Sequence, residues 1–305
     1  MGEDAVPAPI QFSVVTPSWN QGAYLAGCLD SVRVQGRTDL EHIVIDNCST
    51  DGTADILRGC PEIRAIVEPD AGQSEALNKG FALARGEIIA WLNTDDRYLP
   101  GTLDCVAEAF RDPAVHVVYG HALLRDETTG IERINRAHFE SREDFLVWGR
   151  NKLHQPAIFF RRSALESVGP LRTDLHYIMD MELWWRLSGR YAFHFIDAPL
   201  AVQVLHAGAK TVRVAHRFVE ERCRVFGPLL RRERHWWRLL PERQHNIAWR
   251  YLSLASQPGA PRRRLLLRAF LEDPRIAMNG AFWTRVRGGP ENGRTQGDAK
   301  CLSAS

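Results

Sequence analysis

The 305-residue chain is 45% hydrophobic and 25% charged, the proportions of a soluble globular protein long enough for one large domain with an appendage, or for two domains. No apolar run reaches the length of a membrane span, and the N-terminal Met1-Gly2-Glu3-Asp4 lacks the regions of a signal peptide. The six scattered cysteines form no C-x-x-C pair, so a cytoplasmic protein with reduced thiols, no disulfide framework and no structural zinc is expected. The net charge of +2 conceals an asymmetry: residues 1–206 carry 19 Lys and Arg against 29 Asp and Glu, and residues 207–305 carry 20 against 8. A basic half suits an anionic partner such as a membrane surface or nucleic acid, although a solvated Arg-rich helical face is the commoner cause of such a bias.

Ile10 to Thr16 reads as a first strand, stopped by Pro17 and followed by Ser18-Trp19-Asn20. Tyr24, Leu25, Cys28, Leu29 and Val32 fall at helical spacing before Gly36. A second strand, His42 to Asp46, ends in a carboxylate, and the turn after it leads to a helix from Thr53. Ile63 to Val67 is the third strand, followed by Glu68-Pro69-Asp70 and a helix running to Gly86. The fourth, Ile88 to Leu92, is wholly apolar and runs into Asn93-Thr94-Asp95-Asp96. Strands alternating with helices predict a doubly wound α/β sheet, mostly parallel, in which Thr16, Asp46, Asp70 and Asp95 emerge on one rim. Adjacent carboxylates repel, so a divalent metal at Asp95 and Asp96 is the sharp reading and a solvated helix cap the plain one. The absence of G-x-G-x-x-G after the first strand and of G-x-x-x-x-G-K-[ST] anywhere argues against a dinucleotide oxidoreductase and a P-loop NTPase.

Further on, Val115 to Gly120 reads as a strand, Ile131 to Asn135 as an antiparallel excursion, and Phe145 to Trp148 as a short helix. His154-Gln155-Pro156 introduces an apolar strand over 157–160 and a helix through Leu165. In Tyr177 to Leu187, the residues Leu183, Trp184 and Leu187 form a buried helical stripe with Asp180 at the helix start. There Asp180 is suited both to capping and to facing a cleft, and Glu182 is spaced to pair with Arg186. His194 to Ile196 and Leu200 to Leu205 read as two more strands. Beyond Thr211 the pattern is helical and basic, with amphipathic runs at 231–240 and 262–268; residues 288–305 read as a disordered tail.

Four ordered blocks, VVTPSWN (14–20), IVIDNCSTDGT (43–53), EPDAGQSEALNKG (68–80) and GEIIAWLNTDD (86–96), resemble the inverting, nucleotide-sugar-dependent family 2 glycosyltransferases of GT-A fold, over about residues 10–212. The resemblance implies a nucleotide-sugar pocket built from Thr16, Pro17, Asn20, Asp46, Asp70, Gln73, Asn78, Asn93 and Asp95. Asp96, with Asp95, would ligate Mn2+ or Mg2+. Asn93 departs from the carboxylate many relatives carry there, which lowers the charge of the site. His154, Gln155 and Glu182 match the acceptor side, Asp180 matches the catalytic base, and His206 to Thr211 resembles an H-x-x-S-K-T element in which Lys210 would offset diphosphate charge. The expected organisation is a GT-A domain over 1–212, with a nucleotide-sugar half at about 10–120 and an acceptor half at 121–212, then a basic helical extension over 213–287. The expected partners are a nucleoside-diphosphate sugar and a glycan or lipid-linked acceptor, with peripheral contact at the inner face of the membrane and no nucleic acid. The missing Q-x-x-R-W motif predicts single additions. Nucleotidyl transfer to a sugar phosphate, or a non-catalytic membrane or nucleic-acid adaptor, are the alternatives.

Overall fold

The computed structural model describes residues 10–206, 208, 215–256, 261–278, 282, 283 and 286, and divides them into two units. The first comprises residues up to 137 together with 153–206; the second joins 138–152 to the chain after 206.

In the first unit, apolar runs and polar turns produce β1 (Phe12–Ser18), α1 (Gly22–Arg33), β2 (Leu40–Asp46), α2 (Thr53–Arg58), β3 (Arg64–Val67), α3 (Gln73–Leu83) and β4 (Ile88–Trp91). A short β5 (Arg97–Tyr98) and α4 (Thr102–Ala109) follow, then β6 (Val117–Asp126), β7 (Glu132–Asn135), β8 (Ile158–Arg161), α5 (Arg162–Val168), α6 (Met179–Ser188) and β9 (Phe193–Leu205). The sheet runs β3-β2-β1-β4-β8-β6-β9-β5, with β7 paired to β6. The first four strands are parallel, and β8 enters antiparallel to both β4 and β6. All four residues of β4 are buried, as a strand covered on both faces requires. Phe12, Val14, Ile88, Ala90, Leu92, Phe159, Leu103 and Val106 form the core on one side. On the other, α3 lies so close to β1 that a Cβ on Gly80 would sit 2.3 Å from Val15 Cγ1.

Several expected boundaries differ: the strand expected over 115–120 runs on to Asp126 as β6, and the short helix expected over 145–148 is a 3-10 turn at Arg142–Phe145. β1 does not stop at Pro17 but continues to Ser18, because Pro17 lies past the last β4 pairing, at Val15, where no ladder bond needs its missing N–H. The two strands expected over 194–205 are one strand, whose pairing with β6 shifts register between Gly120 and Ala122 and so accommodates Pro199 without a break.

The second unit is helical: α7 (Ala215–Leu230), α8 (Trp236–Leu254) and α9 (Arg262–Glu272). Its core gathers Val219, Ile247, Ala248, Tyr251, Leu252, Leu265, Leu266 and Ala269. Residues 138–152 are tied in by Arg222, which donates to the carbonyls of Phe145 and Val147 and lies over the Trp148 ring. Burial pulls the Arg222 guanidinium down to about 10. The basic run at 231–240 is helical only from Trp236; residues 231–235 form turns. No helix among the described residues is long and apolar enough to cross a membrane. The five described cysteines are free thiols, and Cys301, Lys210 and residues 288–305 lie outside the described residues.

Candidate active site

The carboxyl ends of β1 to β4 form one rim, because these strands are parallel and in register. Two loops interlock on it. Asn20 takes a left-handed conformation with φ of 51° after β1, and Cys48 takes one with φ of 50° after β2. The Asn20 amide donates to Ser49 Oγ at 2.8 Å, and Thr50 N–H returns a bond to Asn20 Oδ1 at 2.8 Å. Asp51 braces both loops by accepting from Thr53 Oγ1 at 2.6 Å and from Gly22 N–H at 2.8 Å, bonds that hold its carboxyl below the usual range. Beside them Trp19 stands 64% exposed, a bare aromatic face next to the rim.

The centre of the rim is an amide network on Asn93. The Trp91 indole, which can only donate, reaches Asn93 Oδ1 at 2.8 Å and thereby sets the orientation of the amide. Gln73 Nε2 donates to the same oxygen at 2.9 Å. Asn93 Nδ2 then donates to Gln155 Oε1 at 2.8 Å and to Asp96 Oδ2 at 3.3 Å, and Gln155 Nε2 closes the ring on the Trp91 carbonyl at 2.6 Å. All the hydrogen-bonding capacity of the Asn93 side chain is used. A carboxylate at this position would lose both donated bonds and face Asp96 with like charge.

Asp96 is 5% exposed, and burial together with the adjacent Asp95 charge pushes its carboxyl well above the ordinary range. Asp95 is held by His206, whose Nε2 lies 3.0 Å from Asp95 Oδ2 and whose ring packs on Tyr24 at a centroid distance of 4.6 Å. Tyr24 in turn donates to Glu127 at 3.0 Å. His206, Tyr24 and Trp19 were not singled out from sequence: the first opens the H-x-x-S-K-T-like element, and the others sit inside or next to the first matching block.

Among the described residues no three His, Cys, Asp or Glu side chains converge as a preformed metal cage. The donor set nevertheless fits a hard divalent cation bound together with a diphosphate, which needs only one or two protein carboxylates because phosphate and water oxygens complete the shell. Asp96 is the fitting ligand: a buried carboxylate beside a second one, offset by hydrogen bonds from the Asn93 amide and the Val204 backbone but by no cationic side chain among those that act on it.

Other expected site residues are placed differently. Thr16 is fully buried, its hydroxyl 2.9 Å from Nε2 of a His42 that burial pulls down to about 3. Asp46 is likewise buried, with its carboxylate bonded to Ser49 N–H at 2.8 Å and Ser49 Oγ at 2.6 Å. These side chains hold the rim from beneath and do not open onto it. Pro17 contributes its carbonyl to Thr94 Oγ1 at 2.8 Å. Asp70 is half-buried, caps the turn at Gly72 at 2.8 Å, and has its carboxyl raised by burial. Asn78 is clamped to both backbone groups of Leu171 at 2.8 Å. His154 is buried near Asn135, with Nδ1 3.5 Å from its amide.

Asp180 lies in the first turn of α6, where the helix dipole favours a carboxylate, and accepts from the Met181 amide at 2.7 Å. Its helix is seated by Trp184, one turn on, which packs against Trp91 at 6.4 Å and Phe160 at 5.6 Å. Thus the indole that orients Asn93 also carries the Asp180 helix. Glu182 is buried and paired with Arg186 at 3.0 Å, which fastens α6 to the carbonyls of Val168, Gly169 and Pro170.

Comparison with known proteins agrees with this architecture. The family model "Glycosyl transferase family 2" matches residues 13–169. "Uncharacterized protein MT1568" of Mycobacterium tuberculosis is 31% identical over 240 residues, covering 72% of this chain and 75% of its own length. A "PGL/p-HBAD biosynthesis glycosyltransferase" of Mycobacterium bovis is 33% identical, covering 56% of this chain and 67% of its own length. Among solved structures, S. aureus TarS 1-349 superposes with a TM-score of 0.59 at 18% identity, covering 90% of this chain and 81% of that one. The mannosyltransferase PcManGT from Pyrobaculum calidifontis, in complex with GDP-Man and Mn2+, gives 0.53 at 20% identity, covering 100% and 89%. The chain belongs to glycosyl transferase family 2. It is a glycosyltransferase with the α/β fold of the GT-A type.

Proposed function

We propose that the protein is a metal-dependent, inverting glycosyltransferase that moves one sugar from a nucleoside-diphosphate sugar to a hydroxyl of a glycan or lipid-linked acceptor. The observation that carries the reading is Asp96: a buried carboxylate beside a second carboxylate, at the carboxyl end of the central strand, in a chain of this family. Structural neighbours holding UDP-GlcNAc and GDP-Man with Mn2+ support the donor class and the metal. Family membership favours sugar transfer over nucleotidyl transfer and over a non-catalytic adaptor.

In this mechanism Asp96, with Asp95, would hold Mn2+ or Mg2+, and His206 fixes the Asp95 carboxylate by its 3.0 Å contact. When bound, the cation neutralises charge on the departing diphosphate. Asn93 and Gln73 present a neutral, hydrogen-bonded wall that adds no further charge beside the acidic pair. Trp19 offers its face to the nucleotide base, and Asn20 and Asp70 border the same pocket. Asp180 accepts the proton of the acceptor hydroxyl as that oxygen attacks the anomeric carbon opposite the diphosphate; the bond to the diphosphate breaks and configuration inverts. Gln155 and His154 border the acceptor side, and Lys210 stays the candidate for offsetting leaving-group charge. The reading assigns catalysis to residues 1–212 and peripheral contact with the inner face of a membrane to the basic helices over 213–287. Thermal unfolding against a panel of nucleotide sugars, with and without Mn2+, tests it: one nucleotide should stabilise the protein only when metal is present, and a panel without any metal-dependent shift would refute the donor assignment.

A further inference from the structure

The second unit contains a cavity of about 520 Å3 walled by α7, the turn after it, α8 and the end of α9. Three guanidinium groups line it, Arg224, Arg231 and Arg243, against one carboxylate, Glu272. Arg243 is only 9% exposed, and its one described side-chain contact is the Cys223 thiol. Neither Arg231 nor Arg243 has a carboxylate partner among the described residues. A guanidinium without a carboxylate keeps its positive charge uncompensated, and its planar fork matches the oxygens of a phosphate. Apart from Gln244 the remaining wall is apolar, with Trp236 and Leu240 facing the same space.

The cavity is continuous with an exposed strip. Arg231 and Trp236 belong to both, and between and beyond them Arg232, Arg234, Trp237 and Arg238 are all exposed, Trp237 by 54%. Exposed tryptophans interleaved with arginines suit the interfacial zone of a bilayer, where an indole sits at headgroup depth and a guanidinium meets phosphate. The described residues between 215 and 278 carry 14 Arg against 6 Asp and Glu, so an anionic surface is the complementary one.

We propose that this cleft is a phosphate-headgroup site for anionic phospholipid, through which the 231–238 strip seats the protein on a membrane surface. The proposal deepens the membrane-contact part of the function proposed above by replacing a diffuse basic attraction with one site. Arg231 and Arg243 take the headgroup phosphate, Trp236 and Leu240 cover the first carbons of the lipid, and Trp237 lies in the interface.

The test is cosedimentation of the full chain with phosphatidylcholine vesicles, with or without about one-third phosphatidylglycerol, at physiological salt. Binding should require the anionic lipid. Arg231→Glu should weaken it by more than about tenfold, while Arg263→Glu, the same charge change on an exposed residue outside the cavity, should weaken it by less than about threefold. Both variants should match the parent in melting temperature and in donor turnover without vesicles. Equal losses in the two variants would overturn the cleft and leave diffuse basic contact standing. Absence of binding to anionic vesicles would overturn both. Thermal stabilisation by inorganic phosphate beyond that of chloride at equal ionic strength, without vesicle binding, would assign the cleft to free phosphate and overturn the lipid site.

Discussion

Asn93→Asp replaces one nitrogen by oxygen and converts the hub of the rim into a third carboxylate. Two donated bonds disappear, to Gln155 at 2.8 Å and to Asp96 at 3.3 Å, and the buried Gln155 oxygen is left facing an acceptor. Leaving such a group unsatisfied costs about 1–3 kcal/mol. At the 3.3 Å separation of the Asn93–Asp96 contact, two ionised carboxylates would repel by about 5 kcal/mol at an effective dielectric of about 20. The pair escapes part of that by taking up a proton, which at pH 7 costs about 4 kcal/mol for a group with pKa near 4. Because Asn93 is half-buried and water screens part of the charge, the combined loss should be about 2–4 kcal/mol, or a fall of roughly 5–12 °C in melting temperature. The shared carboxyl titrates higher folded than unfolded. The stability it contributes is therefore present below the unfolded value, near pH 4, and is lost as pH rises through the folded one. The gap between Asn93→Asp and the parent should thus be wide at pH 7, narrow toward pH 4, and shrink at pH 7 when Mn2+ is added. Melting curves over that range without metal are the assay. A variant as stable as the parent at pH 7 would refute the role given to the amide network.

The other predictions concern separate parts of the site. Asp180→Asn should lower kcat by about 10²–10⁴ with little change in donor KM or melting temperature, since it removes the proton acceptor and leaves donor binding intact. Trp19→Ala should weaken nucleotide binding by about tenfold or more, measured by calorimetry with the free diphosphate, because stacking on a base is worth about 1–3 kcal/mol. Glu182→Gln should behave oppositely to Asp180→Asn: it loosens the Arg186 clamp and costs about 1–3 kcal/mol of stability, with kcat for the surviving folded protein within about twofold of the parent.

Much of the fold could be read from the chain because its first half is local in construction. Each of β2, β3 and β4 is a short apolar run closed by polar residues, and each helix between them carries its own periodicity, so the parallel rim followed from alternation alone. The Glu182 to Arg186 pair was also legible, since i and i+4 on a helix face each other. The Asn93 network was not. Gln73 and Gln155 lie 20 and 62 residues away, and no spacing rule joins a glutamine at a helix start to one before an antiparallel strand. The depth of Thr16 and Asp46 was hidden for a related reason. Polar residues at strand ends read as rim residues, whereas His42 and Ser49 satisfy these two from within. His206 stood in a recognised element, but its pairing with Asp95 spans 111 residues and depends on β9 running unbroken past Pro199.

Donor cleavage at the acidic pair is tested most directly by product analysis with the full chain, a panel of nucleotide sugars and Mn2+. The expected result is metal-dependent release of a nucleoside diphosphate from one donor, retained by Glu182→Gln and abolished by Asp96→Asn. Release of pyrophosphate, or diphosphate release that survives Asp96→Asn at the parental rate, would contradict it.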